Sequence, residues 1–310
     1  MAPFAYFQKK FVPLAEAKIG VMTHAFNYGT GAFEGIRGNW NEEEQLLYIF
    51  RTREHFERLS RSCRILKIDL PYTVDELLKI TVDLMAMNSY TEDVYIRPLA
   101  YKSSEVVGVR LHDLESDLII FTTPFGAYLD VTKGARCCTS SWRRIDDNCI
   151  PARAKVTGAY INSALAKTEA HDSGFDEAIV LTHDGHVSEG SGENIFMIEK
   201  GKLITPPCHD NILVGITRET VIELAKNELG IETKERSIDR TELYIADEVF
   251  MTGTAAHVTP ITEIDHRKIG DGLPGSISTQ IQKLYFDVVK GKNKKYIDWC
   301  IPITPSLVKV

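Results

Sequence analysis

The chain has 310 residues, of which 44% are hydrophobic and 25% charged, the balance of an ordinary soluble globular protein. That length suggests two domains, or one large one, and a core large enough to fold without metal or disulfide staples. Lys+Arg 36 against Asp+Glu 43 gives a net charge of −7, which argues against nucleic acid or an anionic membrane as the main partner but leaves room for a local basic pocket.

Residues 1–11 alternate aromatic and polar side chains, lack the apolar stretch of a signal peptide and read as a strand. Residues 53–67 place Phe56, Leu59, Cys63 and Leu66 on one helical face, with Thr52 available as the cap. A second helix is expected over 74–88, where Thr73 and Glu76 have the spacing of a capping box. Strands follow at 93–101 and 117–123. Residues 122–134, with Pro124, Gly126 and Gly134, read as a connection. This divides the chain into a domain at 1–121, a linker at 122–134 and a domain at 135–310. Further strands are expected at 136–142, 176–182, 194–199 and 247–252, with hairpin turns at Asp184–Gly185 and Lys200–Gly201. Helices are expected at 158–171, at 218–229 with Gly230 as its stop signal, and at 276–290.

No apolar run approaches the ~20 residues of a membrane-spanning helix. The six cysteines, Cys63, Cys137, Cys138, Cys149, Cys208 and Cys300, contain no C-x-x-C pair. They read as reduced, mostly buried thiols of a cytoplasmic protein, with no zinc site.

Three segments carry potential chemistry. Lys155 stands among small residues in Ala152 to Tyr160, just before a helix. Such a lysine usually projects from a solvated face, but crowding can lower its pKa and allow it to form an imine. Ser188-Glu189-Gly190-Ser191-Gly192-Glu193-Asn194 is a tight loop between strands, or else a rigid mount for a carboxylate. It is not G-x-G-x-x-G and lacks the framing elements of a dinucleotide site. Gly215-Ile216-Thr217-Arg218 opens a helix, where capping by Thr217 is the ordinary reading and phosphate binding at the free amides the functional one. Thr254 and Ala255 offer a second hydroxyl and amide cradle, or simply a turn. Lysine, carboxylate and phosphate cradles are together the parts that pyridoxal 5′-phosphate requires.

In its sequence of motifs the chain resembles the branched-chain amino acid aminotransferases, within the class IV aminotransferase family. The resemblance rests on His24 to Thr30, Phe33-Glu34-Gly35-Ile36-Arg37, Phe50 to Leu59, Tyr95-Ile96-Arg97-Pro98, the Lys155 segment, Ser188-Glu189-Gly190, Gly215 to Arg218 and Ala246 to Phe250. It covers nearly the whole chain. It implies an α+β protein of pyridoxal-phosphate fold type IV, with a smaller α/β N-terminal domain and a larger pseudo-barrel C-terminal domain. Cofactor and substrate would lie between them, with the site completed across a homodimer or higher homo-oligomer.

By position, Lys155 would be the Schiff-base lysine and proton shuttle. Glu189 would pair with the pyridine nitrogen, and Tyr160 with the cofactor's phenolic oxygen. Arg58, Ile216, Thr217 and Thr254 would hold the phosphate. Tyr95, Arg97, Thr254 and Ala255 would bind substrate carboxylates. Tyr28, Phe33, Tyr128 and Tyr160 would line the side-chain pocket, with Val109 and Arg110 in a substrate-covering loop. The implied reaction is ping-pong transamination of L-leucine, L-isoleucine and L-valine with 2-oxoglutarate. Arg110 replaces a common uncharged residue, Phe125 a frequent tryptophan, and His257 a frequent glutamate. A D-amino acid or (R)-amine transaminase, an aminodeoxychorismate lyase and a cofactor-binding protein without activity are the competing readings.

Overall fold

The computed structural model describes residues 3–126 and 128–304. Its chain forms two compact units, Met1–Gly126 with Ala154–Gly158 and Asp287–Val310, and Ala127–Arg153 with Ala159–Phe286. The expected 135–310 domain is therefore interrupted. Residues 154–158 join the first unit because Phe33 N–H donates to the Lys155 carbonyl at 3.0 Å and Val156 bridges Ala32. The C-terminal strand Cys300–Ile303 joins it by pairing with Leu46–Phe50. Both returns are non-local, and a reading in chain order does not register them.

An all-antiparallel sheet builds the first unit, in the order Cys300–Ile303, Leu46–Phe50, Ile36–Asn41, Val94–Lys102, Ser116–Pro124, Phe4–Phe7, Lys10–Pro13. Gly31–Phe33 also pairs with Val94–Lys102. The expected single strand at 1–11 is thus a hairpin, turned by Gln8 and Lys9, both at positive φ. Alternation along Val94–Lys102 buries Val94, Ile96 and Ala100 on one face and leaves Tyr95 and Arg97 half-buried on the other. The helix Thr52–Ile65 buries Phe56, Leu59 and Cys63, and also a polar stripe of His55, Arg58 and Ser62. Thr52 is not its cap. Arg51 holds that position at φ 43°, and the Thr52 hydroxyl is buried with no partner among the described residues. The helix Val74–Asn88 carries the expected capping box of Thr73 and Glu76.

A mixed sheet runs through the second unit in the order Val187–Gly190, Glu177–Leu181, Ala135–Arg143, His257–Ile264, Glu248–Gly253, Asn194–Glu199, Lys202–Thr205, Thr233–Glu235. Ala135–Arg143 lies parallel to both of its neighbours. Asn194–Glu199 and Glu248–Gly253 put Ile195, Met197, Val249 and Met251 into one core cluster. Their alternate residues Phe196 and Phe250 stack at 5.0 Å. The Lys200–Gly201 hairpin forms as expected, both residues at positive φ. The helix Ile216–Leu229 ends at Gly230 in the left-handed conformation. Tyr160–Asp172 begins after a 3-10 turn at Thr157–Ala159.

Candidate active site

The sequence-derived residues fall into two sets, one in each unit. In the first unit the Lys155 backbone is fixed from both sides. Its N–H donates to Ser62 Oγ at 3.2 Å and its carbonyl accepts from Phe33 N–H at 3.0 Å. Two residues on, Thr157 Oγ1 donates to the Gly29 carbonyl at 2.7 Å, and Gly158 N–H reaches the same carbonyl at 3.1 Å. The approach is so close that a Cβ on Gly29, whose φ is +64°, would stand 2.7 Å from Gly158 Cα. Glycine is needed there on both counts.

With its backbone held, Lys155 places Nζ 5.1 Å from the Phe33 ring centroid. Arg97 Cζ lies over the same ring at 4.4 Å, and its Nη2 donates to the Tyr95 hydroxyl at 3.1 Å. Room for that hydroxyl comes from Gly35, where a Cβ would meet it at 2.0 Å. Tyr95 packs on Phe125 at 5.1 Å, which also lies beneath the Arg37 guanidinium. Arg97 Nε is buried without a hydrogen-bond partner, and no carboxylate pairs with Arg97 among the described residues. A cation stacked on apolar rings and lacking its own acid is equipped to accept a carboxylate from outside.

Arg58 lies one turn before Ser62 on the same helix. It forks onto Glu34, donating from Nε to Oε1 at 2.8 Å and from Nη2 to Oε2 at 2.7 Å. His55 Nδ1 also lies 2.8 Å from Glu34 Oε2. Burial pushes the Glu34 carboxyl up, but the Arg58 charge and the hydrogen bonds from Arg58 and His55 outweigh it and bring it down to about 2. Burial drives His55 the other way, below its usual range, against the pull of Glu34.

A third group in this unit pins the 103–115 loop. Gly108 N–H donates to the Tyr28 hydroxyl at 3.1 Å, and His24 Nε2 donates to the Gly108 carbonyl at 2.9 Å. Arg110 folds back toward Gly108, its Nη1 lying 3.7 Å from where a Cβ on that glycine would stand, and its Nε is buried without a partner. Val109 is 91% exposed.

In the second unit Glu189 is buried and held from three directions. Arg144 Nη2 meets Oε1 at 2.9 Å, while Leu213 N–H and Asn194 Nδ2 reach Oε2 at 3.0 and 3.3 Å. Asn194 also donates to the Leu213 carbonyl at 2.8 Å. It lies against the start of the helix Ile216–Leu229, where a Cβ on Gly215 would stand 2.1 Å from its Oδ1. Gly215 is the N-cap and makes no side-chain cap bond, so the ordinary reading of Thr217 as the cap fails. Ile216 and Thr217 are buried in the first turn of a helix whose dipole favours an anion. Thr254 and Ala255 form the turn between Glu248–Gly253 and His257–Ile264. His257 packs on Phe286 at 5.0 Å as a core aromatic. Tyr160 opens the helix Tyr160–Asp172. Tyr128 lies beside Lys167, whose Nζ is 5.1 Å from its ring.

Lys155, Phe33, Tyr95 and Arg97 are thus brought together, and Tyr28 is grouped with the loop carrying Val109 and Arg110. The anchoring residues Glu34, His55, Ser62, Arg144 and Asn194 were given no role from sequence. Glu34, His55 and Asn194 lie inside quoted motifs, which is the one signal that pointed to them. Arg144, beside Arg143, has the local appearance of a surface residue.

The pattern of the Amino-transferase class IV family matches residues 31–264. The chain belongs to the class IV aminotransferases and is a transaminase, with the mixed α+β fold of that class. A probable branched-chain-amino-acid aminotransferase of Aquifex aeolicus is 54% identical over 300 residues, covering 97% of this chain and 96% of the relative. The crystal structure of the branched-chain aminotransferase from the thermophilic archaeon Thermoproteus uzoniensis with norvaline is 46% identical, with a TM-score of 0.94 over 98% of this chain and 100% of that one. The branched-chain amino acid aminotransferase from Thermobaculum terrenum in its PLP-form is 39% identical, with a TM-score of 0.93 over 98% and 99%. No helix among the described residues is long and apolar enough to cross a membrane.

Proposed function

We propose that this transaminase uses pyridoxal 5′-phosphate to move the amino group between L-branched-chain amino acids and 2-oxoglutarate, in two half-reactions through one pocket. One observation carries the reading: Lys155 and Arg97 flank a single ring, Phe33, at 5.1 and 4.4 Å. A reacting amine, an apolar ring and a guanidinium without an acid of its own, in that order, suit a pocket that takes an apolar side chain in one half-reaction and a γ-carboxylate in the other.

When bound, the cofactor supplies an electron sink for the carbon that loses its proton. The donor set fits it. Glu189, anchored by Arg144 and Leu213, would pair with the ring nitrogen and keep it protonated. The uncapped first turn at Ile216 and Thr217, with Thr254 and Arg58, whose guanidinium is oriented by its fork onto Glu34, would hold the phosphate. Tyr160 would hydrogen-bond the cofactor's phenolic oxygen. Lys155 takes a proton at its Nζ and returns it, its backbone fixed by Ser62 and Phe33 so that only the side chain moves. Tyr95 and Arg97 bind a substrate carboxylate; Thr254 and Ala255 offer amides to the other. Tyr28, Phe33, Tyr128 and Tyr160 supply apolar wall, which discriminates by only ~1–3 kcal/mol per methylene and so accepts leucine, isoleucine and valine together.

The assembly is a cytoplasmic homodimer or higher homo-oligomer. Val21, Phe26, Val107 and Val109, all strongly exposed, support an interface near the 103–115 loop, which then covers substrate with Val109 and Arg110.

The test is direct. Pyridoxal phosphate should colour the protein yellow, and borohydride should fix it at Lys155 but not in Lys155→Ala. A donor panel of L-leucine, L-isoleucine, L-valine, D-alanine and (R)-1-phenylethylamine with 2-oxoglutarate should rank the L-branched donors first. Preference for a D-donor or the amine would overturn the substrate assignment. Failure to bind the cofactor would overturn the whole reading. Light scattering in solution should give at least twice the 34.9 kDa chain mass.

A further inference from the structure

Glu193 lies outside every role assigned above. It sits in the turn between the strands Val187–Gly190 and Asn194–Glu199, four residues after Glu189, and is 4% exposed. Its Oε2 accepts from Gly192 N–H at 3.0 Å, and its carbonyl accepts from Gly190 N–H at 2.6 Å. The packing is tight on the Gly190 side and ordinary on the Gly253 side. A Cβ on Gly190 would stand 2.8 Å from Glu193 Oε2, and one on Gly253 of the neighbouring strand 3.4 Å from its Cγ.

Three carboxyls share this interior: Glu177, Glu189 and Glu193, all buried. Two cations serve them. Lys167 Nζ takes Glu177 at 2.6 Å, and Arg144 takes Glu189 at 2.9 Å. Among the described residues Tyr128 and Cys137 also face Glu193, and neither brings a positive charge. A buried carboxylate without a cation is costly enough that it neutralises instead. Burial first, then the Glu177 charge with Glu189 adding to it, raise Glu193 to about 8, against the Gly192 amide and Lys167.

We propose that Glu193 is a positioning residue for Glu189: a neutral buried carboxyl that closes the 190–193 turn by hydrogen bonding and leaves Glu189 the one anion that turn presents. The inference rests on the role given to Glu189 above. Unfolded, Glu193 ionises near 4.5; folded, it keeps its proton to about 8. Folded stability is therefore undiminished below the lower value and falls as pH rises between the two.

Glu193→Gln has the same shape and no proton to lose. In thermal unfolding of the cofactor-free protein, its midpoint should gain on wild type by several degrees from pH 5 to pH 8.5. In titrations with pyridoxal phosphate at pH 7, Glu193→Ala should bind at least tenfold more weakly, and Glu193→Gln within threefold of wild type. A pH-independent midpoint difference, a Gln variant that fails to fold, or one that binds as weakly as Ala would overturn the proposal. Glu189→Ala is the separate control. If it binds the cofactor like wild type, the role of Glu189 falls, while the midpoint curves still report the charge of Glu193.

Discussion

Replacing Glu34 by glutamine tests whether the first unit is held at its centre by one ion pair. Glu34 is fully buried, forks with Arg58 at 2.7 and 2.8 Å and accepts from His55 at 2.8 Å. His55, pushed down by burial, is neutral at pH 7, so the pair balances as one anion and one cation. Glutamine keeps the shape and removes the anion that pairs with the buried Arg58. The displacement of Glu34 from 4.5 to about 2 corresponds to about 3 kcal/mol at ~1.36 kcal/mol per pH unit. Breaking a buried pair by removing one partner costs about 3–5 kcal/mol in general, so the two figures agree. For a unit of roughly 150 residues, about 3 kcal/mol is roughly 6–12 °C of thermal midpoint. The sign with pH follows from a lowered carboxyl. The stabilisation is complete above the unfolded value near 4.5 and is lost as pH falls through the folded value near 2. Scanning calorimetry of wild type and Glu34→Gln without cofactor should show a constant gap from pH 8 to pH 5 that narrows on further acidification. A gap under ~1 kcal/mol at pH 7, or one that does not narrow toward pH 3, would refute the reasoning.

Other substitutions separate the remaining parts. Gly215→Ala should drive Asn194 off Glu189, because its Cβ would stand 2.1 Å from Asn194 Oδ1. A loss of about 1–3 kcal/mol in stability and weaker cofactor binding are expected, and unaltered binding of pyridoxal phosphate would contradict the close packing. Arg97→Met should raise KM for 2-oxoglutarate far more than for leucine, since the cation's buried Nε has no other partner; steady-state kinetics with equal effects on both would count against its role. Arg110→Ala should weaken 2-oxoglutarate and glutamate selectively, and unchanged kinetics for both would leave Arg110 a loop residue. Gly35→Ala should displace the Tyr95 hydroxyl, whose oxygen would lie 2.0 Å from the new Cβ, and lower kcat/KM without unfolding the protein; circular dichroism and kinetics together check this.

The legible parts of the fold are those with local punctuation. Thr73 with Glu76, and Gly230, mark helix ends by hydrogen bonds or backbone geometry confined to a few residues. Thr52 is not the cap because its neighbour Arg51 takes that position in the left-handed conformation, with its guanidinium stacked on the distant Trp299 at 3.8 Å. Nothing near residue 51 announces that contact. The same distinction runs through the site. Lys155, Glu189 and the Gly215 to Thr217 turn are recognisable because composition around them is unusual. Their anchors are not, because Ser62 lies 93 positions from Lys155, and Arg144 reaches Glu189 across another strand.

Charge shows why composition was a poor guide to the ligand. The net −7 averages over buried and half-buried cations that mostly have acids of their own: Arg58 with Glu34, Arg144 with Glu189, Lys167 with Glu177, Arg218 with Glu235. Each such pair costs desolvation on both sides and returns it in the contact, so it fixes geometry more than it stabilises. Arg97 breaks the pattern. It is seated on Phe33 and Tyr95, its Nε is unpartnered, and no acid in the described chain answers it. An unanswered cation is a standing cost unless something else arrives to neutralise it, and the substrate class that satisfies it carries a carboxylate. Glu193 is the same reasoning with the sign reversed. It is an acid with no cation paired to it among the described residues, Lys167 being held by Glu177, and no substrate group is needed to neutralise it because a proton does.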